Sequence, residues 1–290
     1  MKPDKQKPFG IRFNDWFEAN MFLIIPVSMI LGFFFYRWLE GGTALVPYLF
    51  AYLTFVMALG CSPKQVRDAL RMPLPILMTL ALVHVVAPLV AYAAGTMLFG
   101  AGSPYVVGLV LFAVIPLGVS SVIWVGLSGG NVPLVLSMIV IDSLISPFVV
   151  PLAIGLLFGA DIHFDYWHIM RDLLVIVFVP TVIGVAVNAL TRGRAKARSA
   201  PVTAPTSKLA FAAVIFINAA AIAPHAFAMK GELLKLVPVV LLFVAFCYAL
   251  GLFGALPFRS KPVLVTITYS SGMRNISLGI VIALQYFEPA

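Results

Sequence analysis

The chain has 290 residues, 62% hydrophobic and 10% charged, with a formal net charge of +8. A mean hydropathy of +1.06 excludes a water-soluble domain, whose helices each need a polar face, so the solvent for most of this surface is lipid. The basic excess does not indicate nucleic acid, because lysines and arginines fill short gaps between apolar runs, and the two distant cysteines, Cys61 and Cys247, give neither a disulfide framework nor a zinc site.

Apolar spans are predicted at Met21–Leu39, Leu45–Cys61, Leu74–Leu98, Tyr105–Leu127, Val132–Phe158, Leu173–Leu190, Leu209–Ala226, Leu236–Leu256 and Pro262–Phe287. Each is close to or above the roughly 17 residues that cross a bilayer, giving an all-α polytopic membrane protein of about nine helices. The first run is too long for the core of a signal peptide and is expected to remain as a helix. Loops are short and leave no room for an inserted soluble domain. The basic, small-residue stretch Thr191–Thr206 reads as a linker between two halves.

With the amino terminus inside, the inner segments carry Lys2, Lys5, Lys7, Arg12, Lys64, Arg67, Arg71, the cluster Arg192 to Lys208, Arg259 and Lys261. The outer segments carry only Arg37, Arg171, Lys230 and Lys235, so every loop obeys the positive-inside alternation. A bacterial inner (plasma) membrane with a cytoplasmic amino terminus is expected, and Glu288–Ala290 should lie outside.

Once the basic and acidic residues assigned to the loops are set aside, one acid and one arginine remain inside spans: Asp142 in the fifth and Arg274 in the ninth. A charge in a membrane costs a few kcal/mol or more unless it is paired or faces water, so each is a candidate functional group. The competing reading is a structural ion pair between the two. Two spans are also interrupted in a matching way. The fourth carries Pro116-Leu117-Gly118-Val119-Ser120-Ser121, and the ninth carries Tyr269-Ser270-Ser271-Gly272-Met273-Arg274-Asn275. Irregular backbone persists in a bilayer only where it lines a cavity or is buried in protein, and paired breaks in two halves point to a transporter site. His84, beside Pro88, reads either as an ion or proton ligand or as a helix-to-helix hydrogen bond, while Asn188 and Asn218 read as packing polar residues. His163 and His168 fall in an outer loop and should be solvated.

Gly130-Asn131-Val132, Ser146-Pro147 with Pro151, Met57-Ala58-Leu59-Gly60 with Pro63, and above all Ser271-Gly272-Met273-Arg274-Asn275 resemble the bile acid:sodium symporter (BASS) family, from about residue 20 to the end. The resemblance implies ten helices in two inverted five-helix repeats, at about 20–158 and 171–290, with the fourth and ninth helices broken and crossing at mid-membrane. This chain would lack the last of the ten. Family members take up organic anions, bile-acid-like or smaller carboxylated and sulfated compounds, by sodium-driven alternating access.

The chain departs from the family where sodium is held. The family's ninth-helix Glu and Gln positions are here Ser270 and Arg274, its fourth-helix Ser-Asn pair is Ser121-Val122, its fifth-helix hydroxyls fall on Val135 and Ile139, and its third-helix Gln falls on Val83. A cation in place of a carboxylate repels sodium, so the usual two-sodium site is expected to be absent. Arg274 then supplies fixed positive charge where the family holds sodium, and proton coupling or ion-independent transport becomes the alternative. The expected substrate and ion site comprises His84, Ser120, Ser121, Asp142, Ser270, Ser271, Met273, Arg274 and Asn275, with no cofactor and with a small organic anion and the lipid bilayer as partners. An enzyme reading rests on Gly126-Leu127-Ser128-Gly129, a pattern seen around intramembrane serine nucleophiles, which would need His84 at hydrogen-bond reach of Ser128.

Overall fold

The computed structural model describes residues 7–39, 41–159 and 165–286. His163 and Glu288–Ala290 lie outside the described residues. Everything described is helix, turn or loop, except one isolated antiparallel bridge between Leu117 and Arg274.

The chain enters on α1 (Phe9–Ala19), turns by 81° into α2 (Met21–Phe34), and after two short 3-10 turns forms α3 (Val46–Ala58), which bends by 76° into α4 (Pro63–Leu70). There follow α5 (Pro73–Phe99), the split pair α6 (Pro104–Val114) and α7 (Ser121–Leu127), and α8 (Val132–Phe158). The second half comprises α9 (Tyr166–Thr191), α10 (Arg194–Ala228), α11 (Lys230–Ala255), and a second split pair, α12 (Lys261–Gly272) and α13 (Ile276–Tyr286). Among the described residues, five helices are long and apolar enough to cross a membrane unbroken, and seven are if each bent pair counts as one span.

Local chemistry explains the ends. Ser62 accepts from the Gln65 amide at 3.2 Å while the Gln65 side chain accepts from the Ser62 amide at 2.8 Å, a reciprocal cap that starts α4. Asn131 caps α8 by accepting from the Leu134 amide at 3.0 Å, with Pro133 in the first turn, where no intrahelical donor is needed. In α5 and α9 the helix widens to a π-turn, at Leu82–Val86 and Leu174–Phe178. Pro88 and Pro180 follow closely. A proline cannot donate to the carbonyl four residues back and its ring crowds that carbonyl, here His84 and Ile176, so the helix absorbs the mismatch as a bulge.

The stretch Thr191–Thr206 is not a linker. Most of it forms the opening turns of α10, a helix of 35 residues that runs through Pro201 and Pro205. This part of α10 is a packing surface: α1 lies across it so closely that a Cβ on Gly10 would sit 1.7 Å from the Pro201 carbonyl oxygen, and only glycine fits there. Lys208 ties the same face to Glu18 at 2.9 Å. No apolar run of spanning length announces α1, which is why the sequence reading begins at Met21.

The main packing partners are α2 with α10, α3 with α9, α5 with α6, and α11 with α12. Where α5, α8 and the two breaks converge, Val83, Leu117, Val135, Met138, Ile139 and Ile267 form a single buried cluster.

Candidate functional site

Each split span breaks for a reason legible in its residues. Proline at 116 removes a donor and disfavours helix at the residue before it, so α6 ends at Val114, and Ile115 turns extended. Gly272 ends α12, after which Met273 is extended and Asn275 opens α13. The backbone groups released by one break are satisfied by the other. The Gly118 amide donates to the Met273 carbonyl at 3.0 Å and the Asn275 amide to the Pro116 carbonyl at 2.9 Å, an antiparallel crossing of two interrupted helices. Glycine at 118 permits this approach, since a Cβ there would lie 3.0 Å from the Arg274 carbonyl oxygen.

Around that crossing the polar side chains are sealed from solvent: Ser121, Asp142 and Ser270 are 0% exposed and Arg274 is 6% exposed. His84, Ser271 and Asn275 are buried as well, while Ser120 and Met273 are half-buried. Asp142 does not contact Arg274. Its Oδ1 lies 2.5 Å from His84 Nε2 and its Oδ2 accepts the Leu117 amide at 2.7 Å, so the carboxylate joins the π-turn of α5 to the backbone of the first break. Ser146, one turn further along α8, donates to the Asp142 carbonyl at 2.5 Å. The ion-pair reading of Asp142 with Arg274 is therefore corrected: the carboxylate has chosen a helix-to-helix partner in His84 and a free amide that only a broken helix can offer.

Arg274 is left alone. None of its three guanidinium nitrogens has a hydrogen-bond partner, although the side chain is buried. Asp142 lies within electrostatic range, and the buried Cys247 thiol lies beside the guanidinium outside hydrogen-bonding geometry. Two serine hydroxyls at the same crossing, Ser121 and Ser271, also lack partners, as does His84 Nδ1. Ser270 instead turns its hydroxyl to the Met138 sulfur at 3.9 Å, which Thr79 also approaches at 3.9 Å. Asn275 accepts weakly from the Leu278 amide at 3.4 Å at the start of α13.

Sequence reasoning missed the Leu117 amide and the Cys247 thiol. A backbone donor leaves no mark in residue identity beyond Pro116 next to it, and Cys247 lies on a different helix from Arg274, with no motif around it that marks the two as neighbours.

Ser128 is not placed for nucleophilic catalysis with His84. Its hydroxyl donates to the Tyr269 hydroxyl at 2.9 Å, at the far end of α7, while His84 is engaged by Asp142. Replacing Ser128 by Ala is expected to lower stability by about 1 kcal/mol through that lost hydrogen bond and to leave transport within about twofold of the parent, as measured by thermal melting and by uptake in proteoliposomes. Asn188 donates to the Leu59 carbonyl at 2.7 Å and Asn218 to the Ser277 carbonyl at 3.5 Å, both as packing residues between helices. His168 is exposed and pairs with Asp165, the residue that caps α9; the His168 backbone amide first, and its ring second, hold that carboxyl below its ordinary range.

Away from the crossing, a cavity of ≈ 400 Å³ is lined by Lys64, Gln65, Asp68, Met72, Asn131 and Leu134, between α4 and the start of α8.

Comparison with known proteins gives concordant results. Residues 46–227 match the model of the Sodium Bile acid symporter family. The chain is 37% identical over 269 residues to a Bacillus subtilis (strain 168) protein described as "Uncharacterized protein YbaS", covering 91% of this chain and 87% of that relative. It is 24% identical over 269 residues to the "Uncharacterized sodium-dependent transporter YocS" of the same organism, covering 91% of this chain and 81% of the relative.

Proposed function

Because the chain belongs to the sodium bile acid symporter family, we propose that this integral membrane transporter carries small organic anions, bile-acid-like or smaller carboxylated and sulfated compounds, by alternating access. The observation that carries the reading is Arg274: a buried guanidinium with three unpartnered nitrogens, held at the crossing of two broken helices. A buried charge without a partner is unfavourable by several kcal/mol, and a site that keeps one is built for a ligand that completes it. The planar fork of a guanidinium matches a carboxylate or sulfate in two parallel hydrogen bonds. The start of α13, one residue on, adds the positive end of a helix of 11 residues on the same side of the break. The hydroxyls of Ser121 and Ser271 are further donors without partners, and Met273 and Asn275 are the chain neighbours of Arg274.

The usual two-sodium site is absent in this reading. Asp142, the carboxylate at the crossing, is occupied on both oxygens by His84 and the Leu117 amide, and Arg274, a cation, lies within electrostatic range of it.

The architecture proposed is nine passes organised as inverted repeats, about 20–158 and 171–290. Its support is reciprocal packing: the first pass lies on the seventh and the second on the sixth, while the third packs on the fourth as the eighth packs on the ninth. Exchange of the repeats maps each of these pairs onto another, and it maps the first break onto the second. The crossing is closed to solvent here, so transport requires one group of helices to move against the other and open it to each side in turn. The basic loops support an amino terminus in the cytoplasm of a bacterium.

The test is thermal melting of the purified protein against taurocholate and a panel of smaller monocarboxylates and organic sulfates, each as sodium, potassium and choline salts at equal ionic strength. One anion class is expected to stabilise saturably, equally in all three cations, and to lose that effect in Arg274→Lys, whose point charge cannot make the paired bonds. Saturable stabilisation by sodium without an organic anion, or stabilisation undiminished in Arg274→Lys, overturns the assignment.

A further inference from the structure

We infer that His84 is the proton site of this carrier, taking up one proton at Nδ1 as an anion binds Arg274, so that proton and anion cross together without net charge. The inference rests on the anion-binding role proposed for Arg274.

One placement of the hydrogens meets every contact made here. Asp142 Oδ2 accepts the Leu117 amide and therefore needs a lone pair, and Oδ1 at 2.5 Å from His84 Nε2 is satisfied when that nitrogen carries the hydrogen. Nδ1 is then a free lone pair, and it is buried with no partner. An imidazole held by one nitrogen on a carboxylate, with the other nitrogen vacant, offers a lone pair for a proton beside a fixed negative charge.

Charge balance gives the coupling. Asp142 on α8 touches His84, and the other ionisable groups on the elements packed around the crossing are Arg274 after α12, Cys247 and Tyr248 on α11 with the Tyr248 ring over Gly272, and Cys61, which packs on α8 beside Val140. With the thiols and phenol neutral, the empty site holds one positive and one negative charge, Arg274 and Asp142. A monoanion on Arg274 leaves the site with an excess negative charge in a medium of low dielectric, where each uncompensated charge is costly. One proton on His84 Nδ1 restores neutrality. Conversely, an empty Arg274 repels a proton from His84, so neither ligand loads well without the other. The link to movement is the Leu117 amide: Asp142 holds it, and Leu117 is bridged to Arg274 through the backbone of the opposite break. Sharing Asp142 with an imidazolium weakens its hold on that amide just as the anion arrives on the other strand.

The experiment needs no substrate. His163→Gln, His168→Gln and His225→Gln leave His84 as the one histidine, and the detergent-purified protein labelled with 15N-histidine is titrated by NMR from about pH 8.5 to about pH 5. The neutral Nε2–H tautomer is expected at the upper end and the imidazolium at the lower. Arg274→Gln, which removes the positive charge as a bound anion would, is expected to raise the midpoint by roughly one pH unit or more, whereas Arg274→Lys leaves it near the parent value. Asp142→Asn is expected to lower it, which keeps the test decisive if Arg274→Gln does not fold. A His84 that stays neutral or stays charged throughout overturns the inference, as does a midpoint indifferent to Arg274. Anion-dependent stabilisation through Arg274 with a non-titrating His84 would remove the proton and leave the transport reading standing; a titrating His84 in a protein that no anion stabilises would do the reverse.

Discussion

Replacing Arg274 by Met is expected to make the protein more stable and to abolish transport. The guanidinium is 6% exposed and none of its nitrogens is hydrogen-bonded, so the folded protein holds an unsatisfied charge that the unfolded chain can hydrate. Methionine fills a similar length without the charge, and exchanging buried ionic groups for well-packed apolar ones commonly stabilises by about 1–4 kcal/mol. Asp142 is not orphaned by the change, because His84 and the Leu117 amide continue to engage it. The apparent melting temperature should rise by several degrees. Anion affinity should fall on the order of a hundredfold, the equivalent of two charge-assisted hydrogen bonds at about 1.5 kcal/mol each. This opposition of stability and function is the signature of a group retained for its ligand. A fall in melting temperature with transport retained would make Arg274 a structural charge and sink the substrate assignment.

The opposite behaviour is expected at Asp142. Asp142→Leu leaves the Leu117 amide and the His84 ring without their acceptor and Arg274 without its nearest negative charge. Removing one member of a buried, hydrogen-bonded set typically costs about 3–5 kcal/mol, which for a chain of this size is a loss of roughly ten degrees in melting temperature. Asp142→Asn retains an acceptor for the Leu117 amide and should cost about 1–2 kcal/mol. Melting curves of the two variants beside the parent provide the check. A Leu variant as stable as the Asn variant would mean that the carboxylate does not organise the first break, and the route proposed from His84 to the crossing would lose its central element.

These two residues show how far sequence reaches in a membrane protein. Asp142 and Arg274 were recognisable as ionisable groups within apolar spans, since lipid makes any such residue conspicuous. Their relationship was not recognisable. Opposite charges on two spans suggest a pair, yet Asp142 took a histidine and a backbone amide, and Arg274 took nothing. What decided the matter was the Leu117 amide, a donor that exists only because Pro116 and Gly118 stop a helix and that has no residue letter of its own. Thr191–Thr206 failed for a related reason. Its prolines and small side chains read as a linker by composition, but in α10 Pro201 and Pro205 pack against Gly10 of α1, and tertiary packing outweighed local propensity.

The sequence by itself determined that the solvent is lipid, that two apolar stretches are interrupted near Gly118 and Gly272, and which charges are anomalous, because hydropathy, proline and glycine act within a few residues of where they stand. Only the tertiary structure decided that the two breaks satisfy each other's backbone, that His84 rather than Arg274 holds Asp142, and that a guanidinium remains buried without a partner. Hydrogen bonds between spans far apart in the chain depend on distance and direction in space, and sequence separation records neither.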